Sequence, residues 1–410
     1  MERKINKVCI VSPGVLPIPD VLGGAVERLI TMIVQTNELE HMFDITVITC
    51  PNAIARELQK KYKHSEFVNI KYYNNEFVKK WGNKIKWHLN AWFNRDSIFL
   101  DFLSSPVNRY LRKNSCKFDF VVSECSNPTF CSSISKVIGK NKMAVHLHGN
   151  LKASNRLESV FGNVFSVSDF IREQYSVGSS LPKDRMLTIF NGIATDKFSK
   201  KLSDADKSKL RRQLGLNDDD FVLVFCGRIV PDKGVLELIH ALLSINEDKV
   251  KLVILGSSNF GLGDFGDYPI KVKKLSEENK DRIIFTGFID NGEVYKYHQI
   301  ADVGVMPSMH NDPCPLSMFE LITSGLPTIA TKAGGMPEIG NVDTTIFVSM
   351  QNIEKELKEA ILKLYRDSSL RNKMHLAALE KSKNFTQRRF YYDFCNTVEN
   401  LIELNEQQEY

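Results

Sequence analysis

The sequence lacks the features that would place the protein in a membrane, on nucleic acid or in an oxidising compartment. No apolar run in its 410 residues approaches the roughly 18 residues needed to cross a bilayer, and Met1-Glu-Arg-Lys does not resemble the start of a signal peptide. The eight cysteines include no Cys-x-x-Cys pair, which argues against a zinc site or a disulfide framework. A formal net charge of +5 is too small and too dispersed to indicate nucleic-acid binding. We therefore expect a cytoplasmic protein with reduced thiols.

The chain contains enough apolar material for two domains. Hydrophobic residues make up 43% of it and charged residues 25%, and a chain of this length can bury two cores of ordinary domain size. In both halves, β-branched runs alternate with amphipathic stretches, which is typical of parallel sheets with crossover helices. We expect α/β domains over residues 1–190 and 191–385, and a terminal helix over residues 386–410 that packs back toward the first domain.

The individual elements are predicted from the same patterns. The strands are predicted at residues 7–12, 45–50, 118–123, 143–147, 164–167 and 186–190, and then at 221–226, 251–255, 282–286, 303–306 and 327–330. The helices are predicted at residues 25–36 and 97–111, from near positions 234, 291 and 315, and at 389–405. The polar stretch over residues 199–220 is interpreted as a linker.

The most specific motif, PSMHNDPCPLSMFE, begins at Pro307 and ends at Glu320. Asp312 falls in a loop after a predicted strand, and Glu320 lies inside the helix that follows. Such a loop offers backbone N–H groups and a helix N-terminus to an anion, while carboxylates accept hydrogen bonds from sugar hydroxyl groups. The alternative is that Asp312 is a turn residue and Glu320 a solvated helix residue.

Two cations follow the first predicted strand of the second half, in the segment FCGRIVPDKG. Arg228 and Lys233 lie on a strand-to-helix loop, where they can neutralise a diphosphate and stabilise its departure as a leaving group. Taken without the other motifs, this pair at a sheet edge would be only a weak indication of function.

The first half has two further candidates. Gly23 and Gly24 precede a predicted helix, where glycine lets the backbone approach a phosphate or an acceptor closely, although a plain turn would use the same residues. His148 follows a predicted strand and should lie at the carboxyl edge of the sheet, where α/β folds bind ligands. A single histidine can equally be structural. His146 lies on the same face of the strand and is the weaker candidate.

Together, these motifs resemble those of family-4 retaining glycosyltransferases of the GT-B fold, the glycosyl transferases group 1. The resemblance extends over nearly the whole chain, and several motifs in one order are more specific than any one of them. The matching positions are Gly23-Gly24, His148-Gly149, Val167-Ser168, Phe190-Asn-Gly192, Asp196, Phe198, Gly227-Arg228, Lys233-Gly234, Gly287-Phe288, Ala301-Asp302, Pro307-Ser308, Asp312, Glu320, Gly325-Leu-Pro327 and Gly334-Gly335-Met-Pro-Glu338.

The resemblance implies two Rossmann-like domains that face each other across a deep cleft, and a role for each matching residue. Arg228 and Lys233 would bind the diphosphate of a nucleotide-sugar donor. Asp312 would bind hydroxyl groups of the donor sugar, and Glu320 would bind the ribose. His148 would lie beside the donor sugar from the facing domain.

Further donor contacts are implied along the same loop. Backbone groups of four consecutive residues would follow the sugar and phosphates, and the two glycines of the first domain would join them; these residues are Cys314, Pro315, Leu316, Ser317, Gly23 and Gly24. The chain departs from the family in having Asp312 where glutamate is usual, and Pro313-Cys-Pro-Leu316 where a glycine-containing Pro-Phe-Gly-Leu stretch is usual. Contacts to the donor sugar can therefore differ from the common arrangement.

The resemblance also implies the chemistry. The acceptor hydroxyl would attack on the face from which the nucleotide leaves, and the leaving phosphate would accept its proton. Because Arg228, Lys233 and backbone donors can carry the diphosphate charge, we predict no obligatory metal and no cofactor besides the nucleotide-sugar co-substrate. A UDP-sugar is the preferred donor.

A basic and aromatic stretch, KKWGNKIKWHLNAW, begins at Lys79 and ends at Trp92 and contains all three tryptophans. Such a stretch suits an anionic membrane surface or a lipid-linked acceptor, and partly buried aromatics beside a solvated lysine face would explain it equally well. The first interpretation predicts a peripheral protein at the inner membrane face that extends a glycan or lipid-linked glycan in surface polysaccharide biosynthesis.

Two other functions fit parts of the pattern. A sugar-nucleotide epimerase of the same fold would need acid and base carboxylates but no acceptor site. A non-catalytic subunit that binds glycans or a partner enzyme would have no reason to keep Arg228, Lys233 and Glu320.

Overall fold

The computed structural model describes residues 5–71, 105–124, 131–132, 134–257 and 266–408. The chain divides into two compact units, one formed by Met1–Phe190 with Phe390–Tyr410 and the other by Asn191–Arg389. Within these described residues, each unit has one sheet, of seven strands in the first unit and six in the second. All neighbouring strands in both sheets are parallel.

The described elements of the first unit run in chain order as β1 (Asn6–Val11), α1 (Ala25–Glu40), β2 (Phe43–Thr49), α2 (Ala53–Gln59), β3 (Ser65–Asn69), α3 (Ser105–Asn114), β4 (Phe120–Ser123), α4 (Ser135–Ile138), β5 (Met143–Leu147), α5 (Asn155–Glu158), β6 (Asn163–Ser166), α6 (Asp169–Ser176) and β7 (Met186–Thr188). The strand order in the sheet is β3-β2-β1-β4-β5-β6-β7. The order reverses between β1 and β4, so crossovers leave in opposite directions there and open a crevice at the carboxyl ends of these strands.

The second unit continues with α7 (Thr195–Phe198), α8 (Asp204–Gln213), β8 (Phe221–Cys226), α9 (Val235–Leu243), β9 (Val250–Leu255), α10 (Asp267–Glu278), β10 (Ile283–Gly287), α11 (Val294–His298), β11 (Val303–Met306), α12 (Leu316–Thr323), β12 (Thr328–Thr331), α13 (Met336–Ile339), β13 (Thr345–Val348), α14 (Ile353–Arg366), α15 (Ser368–Ser382) and the first residues of α16 (Gln387–Gln408). Its strand order is β10-β9-β8-β11-β12-β13. The order reverses between β8 and β11.

The sheet of the second unit is covered on both faces. The strand β8 reads FVLVFC and is buried from Phe221 to Phe225, because a parallel sheet packs helices on its two faces and needs apolar residues on both. Its core includes Leu238 and Leu242 of α9 and Leu357 and Ile361 of α14. This rigid layer holds the loops that follow β8 and β11.

Helix α16 contributes most of its length to the first unit. The Tyr391 hydroxyl group donates a hydrogen bond to Asn37 Oδ1 at 2.6 Å and accepts one from the backbone N–H of Met42 at 3.2 Å. Nearer the end of the helix, Asn405 Oδ1 accepts a hydrogen bond from Arg185 Nη1 at 2.9 Å. The first unit is therefore built from two separate stretches of the chain.

Every predicted strand is present within two residues of its predicted bounds, but two strands were not predicted, namely β3 and β13. Both lie at the edge of a sheet, and β3, SEFVN, is only partly buried, so its sequence carries little of the apolar signal of a central strand. The interpretation of residues 199–220 as a linker was wrong over α8. That helix has no buried residue and begins after Ser203, whose hydroxyl group accepts a hydrogen bond from the backbone N–H of Asp206.

Candidate functional site

The candidate residues of the second unit lie where the strand order reverses. The segment after β8 carries Arg228 and Lys233, and the segment after β11 carries Asp312. Because β8 and β11 are neighbouring parallel strands, both segments leave the same edge of the sheet. The sequence predicted each segment separately, and the sheet order brings them together.

A glycine allows the two segments to touch. Gly234 adopts a left-handed conformation with φ +67°, and a Cβ atom there would lie 1.9 Å from the carbonyl oxygen of Pro307. Beside this close approach, the backbone N–H of Met309 donates to the carbonyl oxygen of Asp232 at 2.8 Å. The result is a direct ion pair between Lys233 Nζ and Asp312 Oδ2, whose side chains are 16% and 8% exposed.

Asp312 is also fixed from the far side, by the loop after β12. Gly334 has φ +59°, and a Cβ atom there would lie 2.1 Å from the carbonyl oxygen of Asp312. The same oxygen accepts a hydrogen bond from the backbone N–H of Gly335 at 2.9 Å. Arg228, by contrast, is exposed. The site therefore combines an exposed cation with a second cation that a held carboxylate neutralises.

Helix α12 begins beside this loop, and no side chain in the described part of the chain caps its first turn. Its leading backbone N–H groups are thus the type of donor that binds phosphate oxygens. Cys314, two residues before the helix, is buried, and its carbonyl oxygen accepts a hydrogen bond from Asn191 Nδ2 at 3.1 Å. Burial raises the pKa of the Cys314 thiol to about 12, so the thiol is neutral and is not a nucleophile at neutral pH.

Glu320 is buried in the middle of α12 and is only 3% exposed. Its Oε1 atom accepts a hydrogen bond from Asn291 Nδ2 at 3.4 Å, and Asn291 Oδ1 in turn accepts one from Lys197 Nζ at 2.5 Å. Burial excludes the alternative in which Glu320 is a solvated helix residue. A buried carboxylate with polar neighbours is suited to binding hydroxyl groups.

The first unit has a buried carboxylate between two histidines. Glu124 follows β4 and His148 follows β5, which is the neighbouring parallel strand. Glu124 Oε2 lies 2.6 Å from His148 Nε2 and 3.0 Å from His146 Nδ1, and the second contact does not have hydrogen-bond geometry. The side chains of Glu124 and His146 are each 1% exposed, whereas that of His148 is 16% exposed.

Charge and burial act in opposite directions on this cluster. Burial would raise the pKa of Glu124, but His146 and His148 together lower it to about 2, so the carboxylate is ionised at neutral pH. Burial and His146 lower the pKa of His148, which keeps its imidazole neutral despite the carboxylate. One ligand atom from each residue can be chosen so that all three lie within 4.8 Å of one another, and histidine and carboxylate are also the donor types of zinc sites.

The glycine pair of the first unit lies at the start of α1. Gly23 and Gly24 have φ values of +81° and +97°. A Cβ atom at Gly24 would lie 2.1 Å from Oε2 of Glu27, a buried carboxylate whose pKa burial raises. The positive φ favours glycine at position 24, whereas the atoms that a Cβ would approach belong to the side chains of Glu27 and Leu16.

The chain is similar in sequence to known glycosyltransferases. Residues 206–381 match the family model of glycosyl transferases group 1. The chain is 32% identical over 179 residues to the uncharacterized glycosyltransferase MJ1607 of Methanocaldococcus jannaschii. The matched stretch covers 43% of this chain and 44% of the relative. It is 26% identical over 200 residues to the lipopolysaccharide 1,2-N-acetylglucosaminetransferase of Salmonella typhimurium, covering 48% of this chain and 50% of the relative. The chain thus spans about half the length of these curated relatives.

The structure is similar to that of HepE from Anabaena, solved in complex with UDP-glucose. The TM-score is 0.73 at 18% identity, and the match covers 96% of this chain and 99% of that chain. The chain has the GT-B fold. The family match includes Arg228, Lys233, Asp312 and Glu320.

The sequence did not indicate two buried carboxylates that lie beside candidate residues of the first unit, namely Glu124 and Glu27. The signal for Glu124 was its position directly after a predicted strand. His148 has the equivalent position after the next predicted strand. The signal for Glu27 was an acidic residue in the first turn of a helix after two glycines.

The stretch from Lys79 to Trp92 lies outside the described residues. None of the described helices combines the length and the hydropathy that a membrane-spanning segment needs.

Proposed function

We propose that the protein is a retaining glycosyltransferase that moves a sugar from a nucleotide-sugar donor, preferably a UDP-sugar, to a glycan or lipid-linked glycan acceptor. The observation that carries the proposal is the Lys233–Asp312 pair beside the uncapped start of α12, at the reversal of strand order in the second sheet. The family match over residues 206–381 and the UDP-glucose complex of HepE support it. The named activity of the Salmonella relative supports a role in surface polysaccharide biosynthesis.

The proposed catalytic residues are His148, Arg228, Lys233 and Asp312. In the reaction, the bond between the sugar C1 atom and the phosphate oxygen breaks, and a bond forms between C1 and the acceptor oxygen on the same face. The leaving phosphate takes the proton of the acceptor hydroxyl group, so no enzyme nucleophile is needed. Lys233 and Arg228 stabilise the charge that develops on the diphosphate.

The ion pair suggests how the donor is received. When a diphosphate approaches Lys233, the lysine exchanges its carboxylate partner for phosphate oxygens. The Asp312 carboxylate then becomes available to accept hydrogen bonds from hydroxyl groups of the donor sugar. Glu320 would accept hydrogen bonds from the ribose. Under this proposal, no metal and no other cofactor take part.

A donor panel tests this function. The full chain is incubated with UDP-, GDP- and ADP-sugars, and thermal stability and donor hydrolysis are measured for the wild type and for an Arg228→Ala, Lys233→Ala double variant. A donor at 100 times its Kd should stabilise the wild type by about 2.7 kcal/mol and the double variant far less. Lys249→Ala is the matched control, because Lys249 pairs with Asp219 at an exposed position and should leave the donor response unchanged.

Two outcomes would contradict transfer. If no donor stabilises the wild type, the non-catalytic alternative gains support. If the protein releases an epimerised sugar nucleotide with no acceptor present, the epimerase alternative replaces the transferase.

We further propose that the stretch from Lys79 to Trp92 brings the protein to an anionic membrane surface at the inner membrane face, where a lipid-linked acceptor would be found. In flotation assays, the wild type should bind vesicles that contain phosphatidylglycerol and not vesicles of phosphatidylcholine alone. Replacing Trp81, Trp87 and Trp92 by alanine should reduce binding about tenfold or more. Equal binding of wild type and variant would overturn this proposal.

A further inference from the structure

The Glu124 carboxylate is too deeply buried to touch a substrate, yet it bonds to a side chain that can. Glu124 and His146 are each 1% exposed, and His148 is the partly exposed member of this cluster. The register of β4 and β5 pairs Ser123 with Val145, so Glu124 lies level with His146, and its side chain reaches His148 two residues further along the neighbouring strand. Any effect of Glu124 on a ligand must therefore pass through His148.

The contact between them fixes which ring nitrogen carries the proton. Glu124 Oε2 and His148 Nε2 are 2.6 Å apart, the separation of a short, charge-assisted hydrogen bond. An ionised carboxylate only accepts hydrogen bonds, so Nε2 must be the donor. A neutral imidazole has one N–H group and one lone pair, which leaves Nδ1 as an acceptor. Among the residues that the structure describes, none donates a hydrogen bond to this Nδ1 atom.

We propose that Glu124 is a positioning residue that holds His148 in the Nε2-protonated tautomer, so that Nδ1 accepts a hydrogen bond from a sugar hydroxyl group. This inference rests on the proposed transferase function for the identity of the ligand. The tautomer itself follows from the first unit alone. His146 lies on the buried side of the cluster. Its ring centroid is 4.4 Å from that of His148, so it restricts the movement of the His148 ring.

Histidine nitrogen spectra of the full chain test the tautomer without any substrate. The protein is labelled with ¹⁵N-histidine, and the His148 signals are assigned by their loss in a His148→Gln variant. In the wild type at neutral pH, Nε2 should show the chemical shift of a protonated nitrogen and Nδ1 that of an unprotonated one. In Glu124→Gln, the amide can donate as well as accept, so the two tautomers should mix or exchange.

Asp44→Asn is the matched control. Asp44 is the carboxylate partner of another histidine, His41, with Nε2 and Oδ1 3.0 Å apart at a more exposed position. This variant should leave the His148 signals unchanged. A proton on Nδ1 of His148 in the wild type would overturn the proposal, and so would His148 signals in a folded Glu124→Gln variant identical to those of the wild type.

Kinetics then test whether the tautomer matters for turnover. With a donor found by the panel, Glu124→Gln should lower kcat about 10- to 100-fold, the effect of one hydrogen bond to a charged group, with little change in KM for the donor. The Glu124→Gln, His148→Gln double variant should be no slower than His148→Gln alone, because Glu124 acts through the histidine. Multiplied losses in the double variant would overturn the proposal.

A metal in this cluster would also overturn it, because a ligated Nε2 atom cannot carry a proton. Loss of the His148 Nε2 proton when Zn²⁺ is added at equimolar concentration would show this. If the panel finds no donor, the proposed function fails, while the wild-type spectrum still decides the tautomer.

Discussion

Alanine at position 234 should destabilise the protein by about 3–5 kcal/mol, the sum of a strained left-handed conformation and an overpacked contact. Gly234 has φ +67°, and a Cβ atom would lie 1.9 Å from the Pro307 carbonyl oxygen and 2.9 Å from its carbon. Because these two atoms belong to the backbone of Pro307, which directly follows a buried strand, they cannot rotate away as the end of a flexible side chain would. The two segments must separate, which also draws Lys233 away from Asp312.

Chemical denaturation measures this effect, and Gly215→Ala separates its two causes. Gly215 has a similar φ of +72°, but a Cβ atom there would meet no atom of the described residues within 4 Å, so its substitution should cost about 1–2 kcal/mol. Donor-induced stabilisation should be lost in Gly234→Ala and kept in Gly215→Ala. Equal destabilisation of the two variants would show that the contact with Pro307 is not what requires glycine.

Asparagine at position 312 should have opposite effects on binding and on turnover. Removing the charge of Asp312 frees Lys233, whose ammonium group the carboxylate otherwise neutralises. We expect the affinity for the free nucleoside diphosphate to rise about threefold to tenfold, a gain of about 1 kcal/mol. Turnover of the nucleotide sugar should fall about 100- to 1000-fold, because the amide replaces a charged acceptor of sugar hydroxyl groups at the reacting centre.

Calorimetry with the nucleoside diphosphate and a hydrolysis or transfer assay measure the two effects. Asp219→Asn is the control, since Asp219 forms a comparable pair with Lys249 at an exposed position and should change neither quantity. Asp312→Glu restores the residue that is usual in the resembling family and should keep turnover within about tenfold of the wild type. Full turnover in Asp312→Asn would show that the carboxylate does not act on the donor sugar.

The sequence singles out candidate site residues but not the contacts between them. Arg228, Lys233, Asp312 and Glu320 could be singled out because motifs at strand ends have a known chemistry, and the carboxyl ends of parallel strands share one edge. The pairing of Lys233 with Asp312 could not be predicted, because 79 positions separate them. The pairing depends on the close approach of the Gly234 backbone to Pro307, which no hydrophobic pattern in the sequence indicates.

Glu124 shows a different limit. The sequence placed a strand before it and a second strand before His148, but two strands that follow one another in a sequence need not be neighbours in a sheet. Only the observed strand order, β1-β4-β5, makes them adjacent. A single carboxylate in the segment SECS also matches no recurring motif, so the sequence alone does not single it out.

The division of the first unit into two stretches has a consequence for synthesis on the ribosome. Residues 191–389 form one contiguous unit and can fold as soon as they emerge. The first unit must wait for helix α16, and at about 5–20 residues per second its last stretch follows roughly 10–40 s after position 190. During that interval Asn37 and Arg185 lack the partners that α16 gives them. The unit translated first is therefore the one completed last, and a released chain that ends at position 389 should contain a folded second unit and an unfinished first one.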